Sequence, residues 1–152
     1  MGKRVTFSVS AWSAAEPKVV FDLLTSGATW PVWSPIGSFH LEKEGDEGGE
    51  SCGAIRVFRT GSVRSRERIV AVEPNRQLSY VQLSGLPIRS HRADVVLEPD
   101  EYKKGTRIVW REDFEASLPG TGWLFRWFLG RFVQRCADGL AAHAAKGASA
   151  TP

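Results

Sequence analysis

Three side chains in this chain combine reactive chemistry with apolar surroundings: Arg59, His91 and Glu112. Each belongs to a run in which hydrophobic residues recur at every second position. Ile108, Trp110, Glu112 and Phe114 share one side of such a run. His91, Ala93, Val95 and Leu97 share another, and Ile55, Val57 and Arg59 a third. That alternation is the period of a half-buried strand. If those sides face an interior, a guanidinium, an imidazole and a carboxylate lie in a greasy pocket. A buried charge must be paired or shift its pKa. Arg59 with Glu112, or His91 with Glu112, are the natural pairs. Such a cluster could orient a ligand's carbonyl or phenol, or act as acid and base. The other arrangement is commoner for these residue types: all three near strand ends, reaching solvent. Strand phase is also fragile, because one β-bulge flips every side chain after it.

Other motifs carry less. Gly49-Glu50-Ser51-Cys52-Gly53 matches the G-x-S-x-G pattern of serine hydrolases. That motif works at a strand-to-helix elbow; here it sits in a glycine-rich hairpin and runs into a strand, so the match is coincidental. His40, His91 and His143 stand apart, and Cys52 and Cys136 form no CxxC pair, so no metal site is expected. With no phosphate loop and no dinucleotide fingerprint, no cofactor is expected either. Arg64, Arg66 and Arg68 alternate with Val63, Ser65 and Glu67. They read as the solvated face of a sheet or a charged edge that discourages aggregation. A net charge of +3 and a strand without interleaved aromatics argue against a nucleic-acid partner.

The elements that must position these groups follow from pattern and punctuation. The chain has 152 residues, 42% hydrophobic and 24% charged, which fits one globular domain with a sizeable core. Two scattered cysteines and no apolar leader after Met1-Gly2-Lys3-Arg4 point to a cytoplasmic protein with reduced thiols. No run approaches the roughly 18 apolar residues of a membrane span. Val5, Phe7, Val9 and Ala11 mark a first strand. Ser13-Ala14-Ala15-Glu16 reads as a capping box opening a helix, with Pro17 in its first turn. Val19, Val20, Leu23 and Leu24 form that helix's apolar face, and Gly27 ends it. Trp30-Pro31-Val32-Trp33 allows only a short helical turn. Six strands follow. The second begins at Phe39 and Leu41, and the third covers Ala54 to Arg59. Val63 to Val72, Leu78 to Leu83, Ile88 to Leu97 and Thr106 to Ala116 complete the set. Short loops between them favour antiparallel neighbours. A long helix spans Thr121 to Ala145, and residues 147–152 read as a disordered tail after a single domain of 1–146.

Several stretches match a known pattern: Ser13 to Phe21, the pair Trp30 and Trp33, Glu73-Pro74-Asn75-Arg76-Gln77-Leu78-Ser79-Tyr80, and Gly105 to Trp110. Over about residues 3 to 145 the chain resembles the Bet v 1-like, START-related superfamily. Within it, the chain is similar to the bacterial polyketide cyclase/dehydrase and lipid-transport group. The resemblance implies an α+β helix-grip fold: a seven-stranded antiparallel sheet wrapped around the C-terminal helix over a cavity, with two short helices after the first strand. The group holds carriers, cyclases and sensors, so three functions stay open. These are binding of a lipid or polyketide-like molecule, aromatase/cyclase catalysis, and a module for binding a partner or a second copy.

The final helix supplies the apolar side of such a cavity. Phe125, Phe128, Leu129, Phe132, Cys136, Leu140 and His143 fall on one broad face at helical spacing. The three phenylalanines suit a flat or greasy guest, or simply fill the core. Together with Trp33, Phe39, Arg59, Tyr80, His91, Trp110 and Glu112, Phe125, Phe128 and Phe132 are the expected ligand-binding set. Trp123 and Trp127 lie almost opposite that face. They are expected to pack on the segment holding Trp30 and Trp33 or on a sheet edge. The alternative is a docking patch for a second copy, a partner or a membrane.

Overall fold

The computed structural model describes residues 3–149. Its elements follow the expected order. Strand β1 covers Arg4–Ser13, helix α1 Pro17–Leu24 and, after a 3-10 turn at Gly27–Thr29, helix α2 Trp30–Trp33. Strands β2 (Ser38–Lys43), β3 (Ile55–Thr60), β4 (Val63–Glu73), β5 (Gln77–Ser84), β6 (Ile88–Pro99) and β7 (Thr106–Ala116) precede helix α3, Gly122–Ser149. The helix thus runs past Ala145 and takes in the first residues expected to be a tail; residues 150–152 lie outside the described residues.

The seven strands form one antiparallel sheet in the order β1-β7-β6-β5-β4-β3-β2. Five neighbours are joined by short loops, as the chain order demands. The exception is β1, which closes onto β7 with Phe7 opposite Glu112 and Val9 opposite Trp110. That long-range pairing lets α1 and α2 cross the end of the sheet while α3 lies against its inner face. The inner face carries the core: Phe58, Ile69, Leu78, Tyr80, Val95, Ile108, Trp110 and Phe114 from the sheet, and Leu129, Val133, Cys136 and Leu140 from α3.

Local chemistry explains where the helices start and stop. The capping box does not form. Glu16 is the N-cap of α1 and makes no side-chain cap bond, and Pro17 takes the first position. With Ser13 as cap, Pro17 would fall where the helix needs a backbone donor that proline lacks. The Ser13 hydroxyl instead donates to the Ala141 carbonyl at 2.8 Å, tying β1 to α3. The buried face of α1 is Val20, Phe21 and Leu24, whereas Val19 points to solvent. The helix ends at Leu24 with Thr25 as its cap, and Gly27 opens the 3-10 turn. Close approach of α2 to α3 is possible because residue 139 is glycine. A Cβ there would lie 1.8 Å from the Trp33 carbonyl oxygen.

The inner face of α3 is centred on Leu129, Val133, Cys136, Ala137, Leu140 and Ala144. It is therefore rotated from the expected phenylalanine stripe. Phe125 and Phe132 are half-buried at its edges and Phe128 is exposed. Trp123 and Trp127 are 72% and 60% exposed, so they do not pack on the Trp30–Trp33 segment as expected. That segment faces inward, with Trp30 and Trp33 buried against each other at 4.8 Å.

Candidate ligand-binding cavity

Between the inner face of β3–β7 and the first half of α3 lies a cavity of about 150 Å³. Its walls are mostly rings and branched aliphatics: Trp30 from α2, Phe58 from β3, Trp110 from β7, and Leu129, Phe132 and Val133 from α3. Exposed Val63 and Phe128 are lining residues too and mark the mouth. Four adjacent strands contribute one polar patch: Glu67 from β4, Tyr80 and Gln82 from β5, His91 from β6 and Glu112 from β7.

Strand register brings that patch together. Glu67 stands opposite Gln82, and Glu112 opposite Ala93, two positions from His91. Two bulges set the phase. The β4–β5 register shifts between Arg66 and Glu67, and the β6–β7 register between Arg89 and Arg92. Ser90 sits inside the second bulge with a left-handed φ of 51°. The extra residue explains why Ile88 and His91 both face the cavity despite their odd spacing.

His91 and Glu112 form the tightest pair, with Nε2 to Oε1 at 2.8 Å and both side chains buried. The Gln82 backbone N–H donates to His91 Nδ1 at 3.0 Å. That bond needs a lone pair on Nδ1, so the bonding pattern is that of the neutral ring with its proton on Nε2, donated to Glu112. Burial also disfavours the imidazolium. The hydrogen bond and charge of Glu112 and the charge of Glu67 outweigh burial, however, and raise the His91 pKa above its ordinary value.

Glu67 is the more perturbed acid. Burial pushes its carboxyl up to about 7, against the opposing pull of Arg56 and His91. As a residue it is only half-buried, and it lines the cavity. Its Oε1 is sealed from solvent without a hydrogen-bond partner, while Oε2 takes only a long bond, 3.3 Å, from the Ser65 hydroxyl. The carboxyl's own surroundings, rather than the exposed fraction of the whole side chain, decide its proton affinity. Tyr80 accepts a hydrogen bond from Trp110 Nε1 at 3.2 Å, and burial raises its pKa well above the usual phenol value. Cys136 lines the cavity as well, but burial pushes its thiol up, so it is a packing residue and not a nucleophile.

Behind this wall lies a cation that pattern reading placed on the wrong residue. Arg59 is exposed, and Arg56 is fully buried. Its guanidinium sits 5.0 Å from the Trp30 ring and 5.1 Å from the Phe58 ring. Nη1 donates to the Leu24 carbonyl at 2.9 Å, at the end of α1, and reaches Glu50 at 3.4 Å. Nε and Nη2 have no hydrogen-bond partner, and the ring faces take their place. In β3 both phases are apolar, through Ile55 and Val57 on one side and Phe58 on the other, so alternation could not choose between them. The inner side is Arg56, Phe58 and Thr60.

Of the ten expected binding residues, Tyr80, His91, Trp110, Glu112, Phe128 and Phe132 line the cavity. Trp33, Phe39, Arg59 and Phe125 do not. Trp33 is one layer back, its indole N–H on Thr29 Oγ1. Phe39 packs on Phe58 at 5.4 Å. Glu67 and Trp30 were missed. The signal for Glu67 was present: with Arg64, Arg66 and Arg68 on the solvated side of β4, the intervening Ser65, Glu67 and Ile69 had to point inward.

Among the described residues no group of His, Cys, Asp and Glu could hold a metal ion. No described helix is long and apolar enough to cross a membrane. Several solved structures share the fold. A START superfamily protein from Mycobacterium smegmatis superposes with a TM-score of 0.77 at 17% identity, covering 95% of this chain and 99% of its own. A protein from Nitrosospira multiformis gives 0.76 at 17% identity over 95% and 99%. Ara h 8.0201 gives 0.73 at 15% identity over 95% and 99%. At these identities the likeness is one of fold alone. No curated protein matches the chain. Residues 4–145 match the family described as polyketide cyclase/dehydrase and lipid transport, and with nearly its whole length inside that match, the chain belongs to this family.

Proposed function

We propose that the protein binds a small hydrophobic molecule in the cavity between the sheet and α3. The observation that carries this reading is a cavity walled by rings with a single polar patch on one side, the usual make-up of a small-molecule site. Its size limits the guest. About 150 Å³ matches a single aromatic ring, whereas drug-sized ligands occupy roughly 300–1,000 Å³. A lipid or polyketide-like molecule would therefore place one ring or chain end inside and leave the rest past Val63 and Phe128. The free thiols Cys52 and Cys136 support a cytoplasmic setting. A thermal-shift and native mass-spectrometry screen against ring-sized and long-chain apolar compounds tests the reading. Ring-sized hits are expected, and a screen without a hit in either class rejects it.

A second reading is aromatase/cyclase chemistry. The Glu67, His91 and Glu112 cluster supports it, because a carboxyl titrating near neutrality can move protons. Bringing two carbons of one chain together, however, requires the chain to be held folded, and the cavity is too small for that without opening. Binding is therefore preferred. Unchanged turnover of a poly-β-keto substrate in both Glu112→Gln and His91→Ala removes the catalytic reading.

A third reading, contact with a second copy, rests on the exposed indoles of Trp123 and Trp127. Size-exclusion chromatography of the parent and Trp127→Ala separates the cases: a parent dimer that the substitution dissolves supports it, and a monomer in both removes it.

A further inference from the structure

The polar patch constrains what the guest carries, and this inference rests on the cavity being a ligand site. A carboxyl in an apolar cavity should be fully hydrogen-bonded, since an unsatisfied buried acceptor costs stability. Glu67 is not. One oxygen is without a partner and the other holds only the long Ser65 bond. Of the other polar groups in the wall, His91 is engaged with Glu112 and the Gln82 N–H, and Trp110 Nε1 with Tyr80. Arg56 acts on Glu67 through its charge, but its unpartnered Nε and Nη2 make no hydrogen bond to the carboxyl and lie against the Trp30 and Phe58 rings. Tyr80 receives that bond on its oxygen, so its own hydroxyl hydrogen remains for the cavity. The patch therefore offers one acceptor in need of a donor and one donor in need of an acceptor. A hydroxyl group is both at once; a carbonyl or a hydrocarbon is not. The torsion at the end of a glutamate side chain is soft, so Glu67 can turn either oxygen toward a guest.

We infer that the guest presents a hydroxyl on a ring-sized head group, and that Glu67 selects for it by accepting its hydrogen bond. The walls sort by size and shape, and the carboxyl sorts by chemistry. A site built to pair a hydroxyl rejects the analogue that lacks one, because its own polar group is then left bare.

Phenol and toluene test this, being near-isosteric rings that differ in the hydroxyl. Both are titrated into the isotopically labelled protein at about pH 8, where Glu67 is ionised, and amide shifts at Gln82 and Ala93 report occupancy. Phenol is expected to bind about tenfold more tightly than toluene, and Glu67→Gln should cut that ratio by about fivefold, the difference between charged and neutral acceptors. Equal affinities in the parent protein overturn the inference without any variant. An unchanged ratio in Glu67→Gln overturns the assignment to Glu67. Binding of neither ring overturns the cavity reading beneath it.

Discussion

Replacing Glu67 by glutamine should change how stability depends on pH. The folded-state pKa is about 7 against an ordinary value of 4.5, raised chiefly by burial. Between those values the native protein keeps a proton that the unfolded chain has released. Raising the pH through this window therefore lowers stability: the destabilisation is absent below about 4.5 and complete above about 7. At about 1.4 kcal/mol for each pH unit of the gap, the full effect is about 3 kcal/mol. Glutamine has the same shape and cannot ionise. Urea titrations of both proteins should show the variant gaining about 2–3 kcal/mol on the parent between about pH 5 and about pH 8. His91, whose pKa is also raised, loses its own stabilisation as pH rises through the folded value. Because the charge of Glu67 helps raise the His91 pKa, the comparison is made with and without Glu67→Gln in a His91→Ala background, which removes the coupled titration and leaves burial, the main cause of the Glu67 shift, in place. A difference flat to within about 0.5 kcal/mol would mean that the carboxyl is solvated in solution, and the reasoning about its burial would fail.

Three other outcomes follow from the geometry. Gly139→Ala should cost about 2 kcal/mol or more, read as a lowered Tm, because the added carbon meets the Trp33 carbonyl at 1.8 Å. Arg56→Ala should destabilise by about 3–5 kcal/mol, leaving Glu50 and the end of α1 without their buried cation, whereas exposed Arg59→Ala should stay within about 0.5 kcal/mol in the same denaturant titration. An aromatic disulfide reagent should modify exposed Cys52 rapidly in the native protein and reach buried Cys136 only on unfolding.

The exposed Trp123, Leu124, Trp127 and Phe128 show where helix periodicity and the folded helix differ. Counting at helical spacing located an aromatic stripe correctly but centred it on the phenylalanines. The smaller Leu129, Val133, Ala137 and Ala144 are what α3 actually buries. A helix lying this close to a sheet also touching α2 needs small side chains at the contact, as Gly139 shows. The bulky rings are left at the mouth and on the surface.

Chain order alone was enough for the elements and their antiparallel succession, because short polar loops between alternating runs permit little else. It was also enough for the inward sides of β6 and β7, where one face is apolar and the other charged. The cation of the site, and the proton affinity of its second acid, needed the folded protein. In β3 both faces are apolar, and only packing against Trp30 and the end of α1 settles that Arg56, not Arg59, turns inward. The bulge opposite Glu67 lies in β5, at Leu83, and the one before His91 lies in β6, and a bulge is a matter of pairing between strands that no single strand's pattern records. Burial, and with it the proton affinity of Glu67, exists only once α3 closes over the sheet.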